Sequence, residues 1–88
     1  MRVEFLESFA KDLDHIGPKQ VKQAIEKLIA RIESASSQRA IPHLKKLSGV
    51  SHAFRVRLGE YRVGVFIDGD IVQFARILHR KDIYRVFP

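Results

Sequence analysis

The chain opens on a short alternation of polar and apolar residues, Arg2-Val3-Glu4-Phe5, which is the period of a half-exposed β-strand. A helical pattern follows, with Ser8 placed to cap a brief helix that carries Phe9, Leu13 and Ile16 on one side. Gly17 suits the position just past that helix and Pro18 the first turn of the next, so a very short link between two antiparallel helices is expected. The second helix is predicted from Pro18 to Ala35. Its apolar positions Val21, Ile25, Leu28, Ile32 and Ala35, with Ala24 and Ile29 beside them, keep a 3.6-residue period and read as core.

Ser34 to Arg39 ends the helical pattern and proposes no other, so the chain is expected to loop there and deliver Leu44-Lys45-Lys46-Leu47-Ser48-Gly49. From Ala53 the period changes to two: Phe54, Val56 and Leu58, then Tyr61, Val63, Val65 and Ile67. Asp68-Gly69 signals a hairpin, and a third strand is predicted from Ile71 to Ile77. Whether that loop has two or three residues decides which face Arg76 takes. The predicted fold is α+β: a strand, an antiparallel helix pair, then a three- to four-stranded antiparallel meander, with the helices on one face of the sheet. Residues 1–88 are expected to form one domain, with no internal repeat.

The hairpin from Phe54 to Val65 has a consequence beyond its fold. Gly59 opens a two-residue turn, Gly59-Glu60, which places Leu58 opposite Tyr61, Arg57 opposite Arg62, and Val56 opposite Val63. Arg55, Arg57 and Arg62 then share one face. Like charges directly across a strand pair cost a few tenths to about 1 kcal/mol, so the arrangement asks for an anionic partner, of which a polyphosphate is the natural example. Charge distribution points the same way. Of the net charge of +6, residues 1–42 hold seven basic and six acidic side chains and residues 43–88 hold nine and four. The basic surface therefore belongs to the second half, where it suits nucleic acid or an acidic protein. With no cysteine, thiolate chemistry, disulfides and the common zinc patterns are excluded. No stretch approaches the roughly 18 apolar residues of a membrane span, and Met1-Arg2 leads into the first strand without a signal-peptide core, so a cytoplasmic protein is expected.

Several chemistries are poorly served by these residues. The acids fall on helix faces (Asp12, Asp14, Glu26, Glu33) or in turns (Glu60, Asp68, Asp70), which argues against a paired-carboxylate enzyme. His15, His43, His52 and His79 show no helical pairing and no adjacent carboxylate cluster, so neither a metal site nor a cofactor is expected. No glycine-rich phosphate loop occurs. What remains is an arginine-rich strand face with His79-Arg80-Lys81-Asp82-Ile83-Tyr84 just beyond the third strand. RNA is a substrate such a face can serve, because its 2′-hydroxyl attacks the adjacent phosphate and the substrate brings its own nucleophile. The protein must then position the backbone, help a proton leave, and stabilise the oxyanion, for which arginine's planar fork is well suited.

Taken in order, the first strand, the helix pair, Leu44-Lys45-Lys46-Leu47, the segment Phe54 to Val63 and the segment His79 to Tyr84 resemble the RelE/ParE superfamily of toxin–antitoxin toxins. The best markers are Gly59-Glu60-Tyr61-Arg62 and the His79-Arg80…Tyr84 spacing. The resemblance implies a toxin that cleaves messenger RNA in the ribosomal A site without metal, leaving a 2′,3′-cyclic phosphate or its opened form. It also implies a co-encoded antitoxin that wraps the toxin in a hetero-oligomer and corepresses the operon with it. On that resemblance Arg55 and Arg57 fall where RelE-type toxins place substrate-binding and activating lysines, Arg62 on the phosphate-stabilising arginine, Arg80 on a second active-site arginine, and Tyr84 on the base-stacking tyrosine. Lys45, Lys46 and Lys81 are expected to touch the RNA backbone. Arginine's pKa above about 12 makes it a poor general base, so Arg57 leaves the proton acceptor open, with His79 the expected substitute. Only four residues follow Tyr84, so the longer C-terminal helix of some relatives is not expected here.

Two other functions fit the same scaffold. One is the gyrase-poisoning ParE branch, which needs no nuclease site. The other is a basic domain that binds nucleic acid or an antitoxin without catalysis.

Overall fold

A computed structural model describes all residues, 1–88. The elements run β1 (Arg2–Phe5), α1 (Glu7–Asp14), α2 (Lys19–Ser34), a 3-10 turn at Gln38–Ala40, β2 (Leu44–Lys46), β3 (Ala53–Leu58), β4 (Tyr61–Asp68), β5 (Ile71–His79) and α3 (Arg80–Val86). They form one five-stranded sheet in the order β1-β5-β4-β3-β2. Strands β2 to β5 are the antiparallel meander, at the upper end of the expected three to four strands, and β1 adds a fifth strand that runs parallel to β5.

Alternation along the strands divides the core between two faces. Val56, Val63, Val65, Ile67, Val72, Phe74 and Ile77 pack under α1 and α2 against Phe9, Ile16, Ile25, Leu28 and Ile32. On the other face Ala53, Ala75 and Leu47 pack with Ile83 and Phe87 of the C-terminal segment. Helix α3 thus covers part of a face that the sequence pattern leaves bare. Gly64 of β4 makes that docking possible, since a Cβ there would lie 2.6 Å from Cγ of the Phe87 ring.

Both hairpins turn through two residues, with Leu58 paired to Tyr61 and Asp68 to Ile71. Gly59 and Gly69 take φ of +61° and +58° at the first turn position, the place where a type II′ turn requires glycine. The loop length that sequence leaves open is therefore two. It does not by itself decide the face of Arg76, because β4 and β5 slip register between Gly64 and Val65, so that Gly64 pairs with Arg76 but Val65 with Phe74. This bulge turns Arg76 toward α1, where its Nε donates to Asp12 Oδ2 at 2.7 Å and Nη2 to Oδ1 at 3.0 Å. The pairing holds the Arg76 proton more tightly than an isolated guanidinium does.

Ser8 does not cap α1; the helix begins after Leu6 with no side-chain cap. Its hydroxyl donates instead to Ala75 O at 2.6 Å, while Asp12, one helical turn on, also accepts from Ile77 N at 3.0 Å. One face of α1 therefore satisfies backbone groups of β5 beyond Phe74, where its pairing with β1 ends. Nor does Gly17 take a left-handed conformation, and Pro18 stands just outside α2 rather than in its first turn. No helix is long and apolar enough to cross a membrane.

Candidate functional site

The sheet face opposite α1 and α2 holds an open cleft of about 350 Å³, lined by His43, Leu44, Lys45, Arg55, Arg57, Arg62 and Tyr84. Its floor is the three-strand segment β2-β3-β4, and α3 forms one wall. Strand pairing concentrates cations here: Lys45 stands opposite Arg55, and Arg57 opposite Arg62. Two successive like-charge pairs thus lie side by side, and no carboxylate lines the cleft.

The two opposed arginines relieve each other by diverging. The Arg57 guanidinium donates from Nη2 to His43 Nδ1 at 3.2 Å, and the Arg57 backbone N–H donates to His43 O at 3.3 Å. Arg62 folds the other way, its Nη1 donating to Gly59 O at 2.8 Å and Tyr61 O at 2.9 Å. Neither is paired with an acid. These neutral acceptors leave both positive charges uncompensated, so the cleft is a ready site for phosphate. Arg55 behaves differently. Its Cζ sits 4.4 Å from the centroid of Tyr84, a cation–π contact that joins β3 to α3. Tyr84 is nevertheless 63% exposed, so the ring still presents area on which a base can stack.

Not every residue singled out in the sequence reaches this cleft. Arg80 opens α3 outside it, its backbone N–H donating to Glu60 O at 2.8 Å and its Nε lying 3.0 Å from Glu60 Oε2. Arg62 and Arg80 therefore meet at the same Gly59-Glu60 turn, but only Arg62 lines the cleft. His79 is paired with Tyr61, a residue packed on the helix-covered face, and their rings meet edge to face at 5.8 Å. Its Nδ1 accepts from Lys81 N at 3.2 Å and caps α3. The structure thus gives His79 a capping position and keeps it off the cleft. Lys81 is exposed on α3 and does not line the cleft. Strand alternation sends Lys46 to the opposite side of β2 from Lys45, beside Gln38, Arg39 and Phe54.

Two lining residues, His43 and Leu44, have no counterpart among the expected ones, and of these only His43 is polar. His43 is brought in by the loop before β2, and it holds φ of +57°, a left-handed conformation that costs a side chain about 1 to 2 kcal/mol. Nothing in its neighbours Pro42 and Leu44 announces this position. Only the pairing of a three-residue strand with β3 brings it beside Arg57.

Comparison with known proteins identifies the family. The sequence profile of the ParE toxin of type II toxin–antitoxin systems, parDE, matches residues 3–84. The chain belongs to that family, within the RelE/ParE superfamily of type II toxins. It is similar over its full length to Toxin RelE3 of Methanocaldococcus jannaschii, with 37% identity over 89 residues and the whole of both chains covered. Its structure is similar to the RelB-RelE antitoxin–toxin complex from Methanococcus jannaschii, with a TM-score of 0.83 and 35% identity over 97% of this chain and 99% of that one. A RelE-RelB complex from Pyrococcus horikoshii shares the fold, with a TM-score of 0.73 and 22% identity over 92% and 96% of the two chains.

Proposed function

We propose that this toxin is a ribosome-dependent messenger-RNA endoribonuclease whose residues 1–88 act as one domain. The observation that supports this best is the cleft of four cations, Lys45, Arg55, Arg57 and Arg62, with an exposed tyrosine at its wall and no acid along it. Arg62 and Arg57 hold the scissile phosphate and stabilise the pentavalent oxyanion, Lys45 and Arg55 follow the flanking backbone, and Tyr84 stacks on an unpaired base. The 2′-oxygen bonds to phosphorus, the bond to the 5′-oxygen breaks, and the products are a 2′,3′-cyclic phosphate and a 5′-hydroxyl. Because the cleft supplies its own positive charge, the step needs no metal; cleavage that persists in EDTA, under conditions that keep the ribosome assembled, tests this.

Arg80 serves the same RNA from outside the cleft, as a further backbone contact at the Gly59-Glu60 turn. The toxin works in the cytoplasm and is held inactive by a cognate antitoxin, a partner suggested by the RelB chains of the similar complexes. Expression should stop translation, with primer extension mapping cuts within codons on translating ribosomes. The matching family description, ParE, favours a second reading, inhibition of DNA gyrase. Intact messages together with gyrase-linked DNA breaks would decide for that one.

A further inference from the structure

The ribonuclease reading leaves one role without an actor: a group that accepts the proton of the attacking 2′-hydroxyl. The side chains around the cleft restrict the choice. Lys45 faces it from β2, Arg55 and Arg57 from β3, Arg62 from β4 and Tyr84 from α3. Lysine, arginine and tyrosine are residue types that hold their protons at neutral pH. No carboxylate lines the cleft, and His79 is committed to the α3 cap on the other side. His43 is the one lining residue of a type that gains and loses a proton in this range.

Its setting fits the task. Arginine has no lone pair to offer, so in the bond from Arg57 Nη2 it is His43 Nδ1 that accepts, and the neutral imidazole carries its proton on Nε2. Arg57 thereby engages the Nδ1 lone pair of a residue that lines the cationic cleft. The two residues are joined a second time through the backbone, and the chain keeps a non-glycine residue at φ of +57° to hold the ring there. We propose that His43 is the general base of the cleavage. A scissile phosphate entering the cleft draws the Arg57 guanidinium onto its oxygens and frees Nδ1. Nδ1 then takes the 2′-hydroxyl proton as the 2′-oxygen bonds to phosphorus and the 5′-oxygen departs, which takes its own proton from water. The imidazolium returns its proton to solvent before the next turnover.

The proposal rests on the ribonuclease reading, and the test separates the two. Single-turnover cleavage of a message on translating ribosomes is measured from about pH 5.5 to about pH 8.5 for the unaltered toxin, His43→Asn and His43→Gly. Asparagine and glycine both accept a left-handed backbone, and circular dichroism checks the fold. A base must be unprotonated to act, so the unaltered rate should rise with pH in the lower part of this range. Both variants should lose about 10²- to 10⁴-fold and that rise, while binding to a message with a 2′-deoxy nucleotide at the cut site stays within a few-fold. Added imidazole should restore part of the His43→Gly rate. Asparagine keeps an acceptor for Arg57, so a His43→Asn toxin with unchanged rate would show that His43 only positions Arg57 and would overturn the proposal. A lowered rate that still rises with pH would overturn it as well, because another group would then carry the proton. If the unaltered toxin does not cut messages on ribosomes at all, it is the ribonuclease reading that fails.

Discussion

At the scale of single residues, the opposed arginines of the β3-β4 hairpin are held without a carboxylate, each by neutral acceptors of its own. That makes the roles of Arg62 and Arg80 separable. Arg62 lines the cleft and gives up only two bonds to turn carbonyls when it moves onto a phosphate. On the ribonuclease proposal its removal takes away oxyanion stabilisation together with those two bonds. Arg62→Ala should therefore lower single-turnover cleavage by about 10²- to 10³-fold, while stability measured by urea denaturation shifts by less than about 0.5 kcal/mol. Arg80 is already paired with Glu60 outside the cleft, so Arg80→Ala should weaken RNA binding only a few-fold and leave the rate of the bound complex nearly unchanged. Equal losses of cleavage rate in the two variants would contradict this division. Sequence reasoning put both arginines in one site, whereas only Arg62 lines the cleft. It had no way to see that the β5-α3 junction turns Arg80 toward Glu60, or that His79 spends its Nδ1 on a helix cap.

At the scale of elements, the legible parts were those with several periods of pattern or an obligatory glycine. Helix α2 repeats its stripe over four turns, and its ends lie within a residue of the expected ones. The β3-β4 register follows from Gly59 alone. Strand β2 and helix α3 were not legible for the opposite reason: three and seven residues hold too little period to read, and both are specified by contacts distant in sequence. Leu44 and Lys45 pair with Val56 and Arg55, and α3 is anchored by Ile83 and Phe87 in a small core with Ala53 and Ala75. The bulge that turns Arg76 leaves no mark in the strand pattern except Gly64. That glycine carries a prediction about the site. Gly64→Ala would drive a Cβ into the Phe87 ring, so α3 must shift, carrying Tyr84 away from Arg55. The expected cost is about 1 to 3 kcal/mol in urea denaturation, with a loss of cleavage that persists when the protein is fully folded. Adding Phe87→Ala should make the double variant less destabilised than the sum of the single changes. Strict additivity would mean that α3 does not rest on Gly64.

A second element-scale prediction concerns Asp12, which binds Arg76 and the β5 backbone at once, with its side chain 10% exposed. Asp12→Ala strands a guanidinium and an N–H together and should cost about 2 to 4 kcal/mol. Because folding raises the Arg76 pKa, the stabilisation from that linkage is complete below arginine's ordinary range and lost only as pH climbs through the raised value. The Arg76 linkage should therefore make no difference to the pH dependence of stability between about pH 6 and about pH 9, which urea denaturation of the two proteins across that interval can check.

At the scale of the whole molecule, what matters is where the acids of the basic half have gone. Glu60 is taken by Arg80 and Asp82 by Arg85, while Asp68 and Asp70 lie at the β4-β5 turn. That turn is at the far end of β4 from Arg62, with Asp68 about 20 Å away at the usual rise of about 3.4 Å per residue. This is well over the Debye length of about 8 Å at physiological salt, so these two carboxylates barely offset the cleft. The net charge of +6 is therefore less informative than its layout, which gathers Lys45, Arg55, Arg57 and Arg62 around one cleft. Single-stranded RNA that contacts four cations should bind with a slope of log affinity against log salt of about −3, from about 0.7 per phosphate neutralised. Fluorescence anisotropy with a labelled RNA oligonucleotide measures it. Lys45→Gln should reduce the slope by about 0.7, whereas Lys11→Gln, on α1 and paired with Glu7, should leave it unchanged. A slope near zero, or equal effects of the two changes, would mean that RNA does not enter this cleft and that its charge serves a protein partner instead.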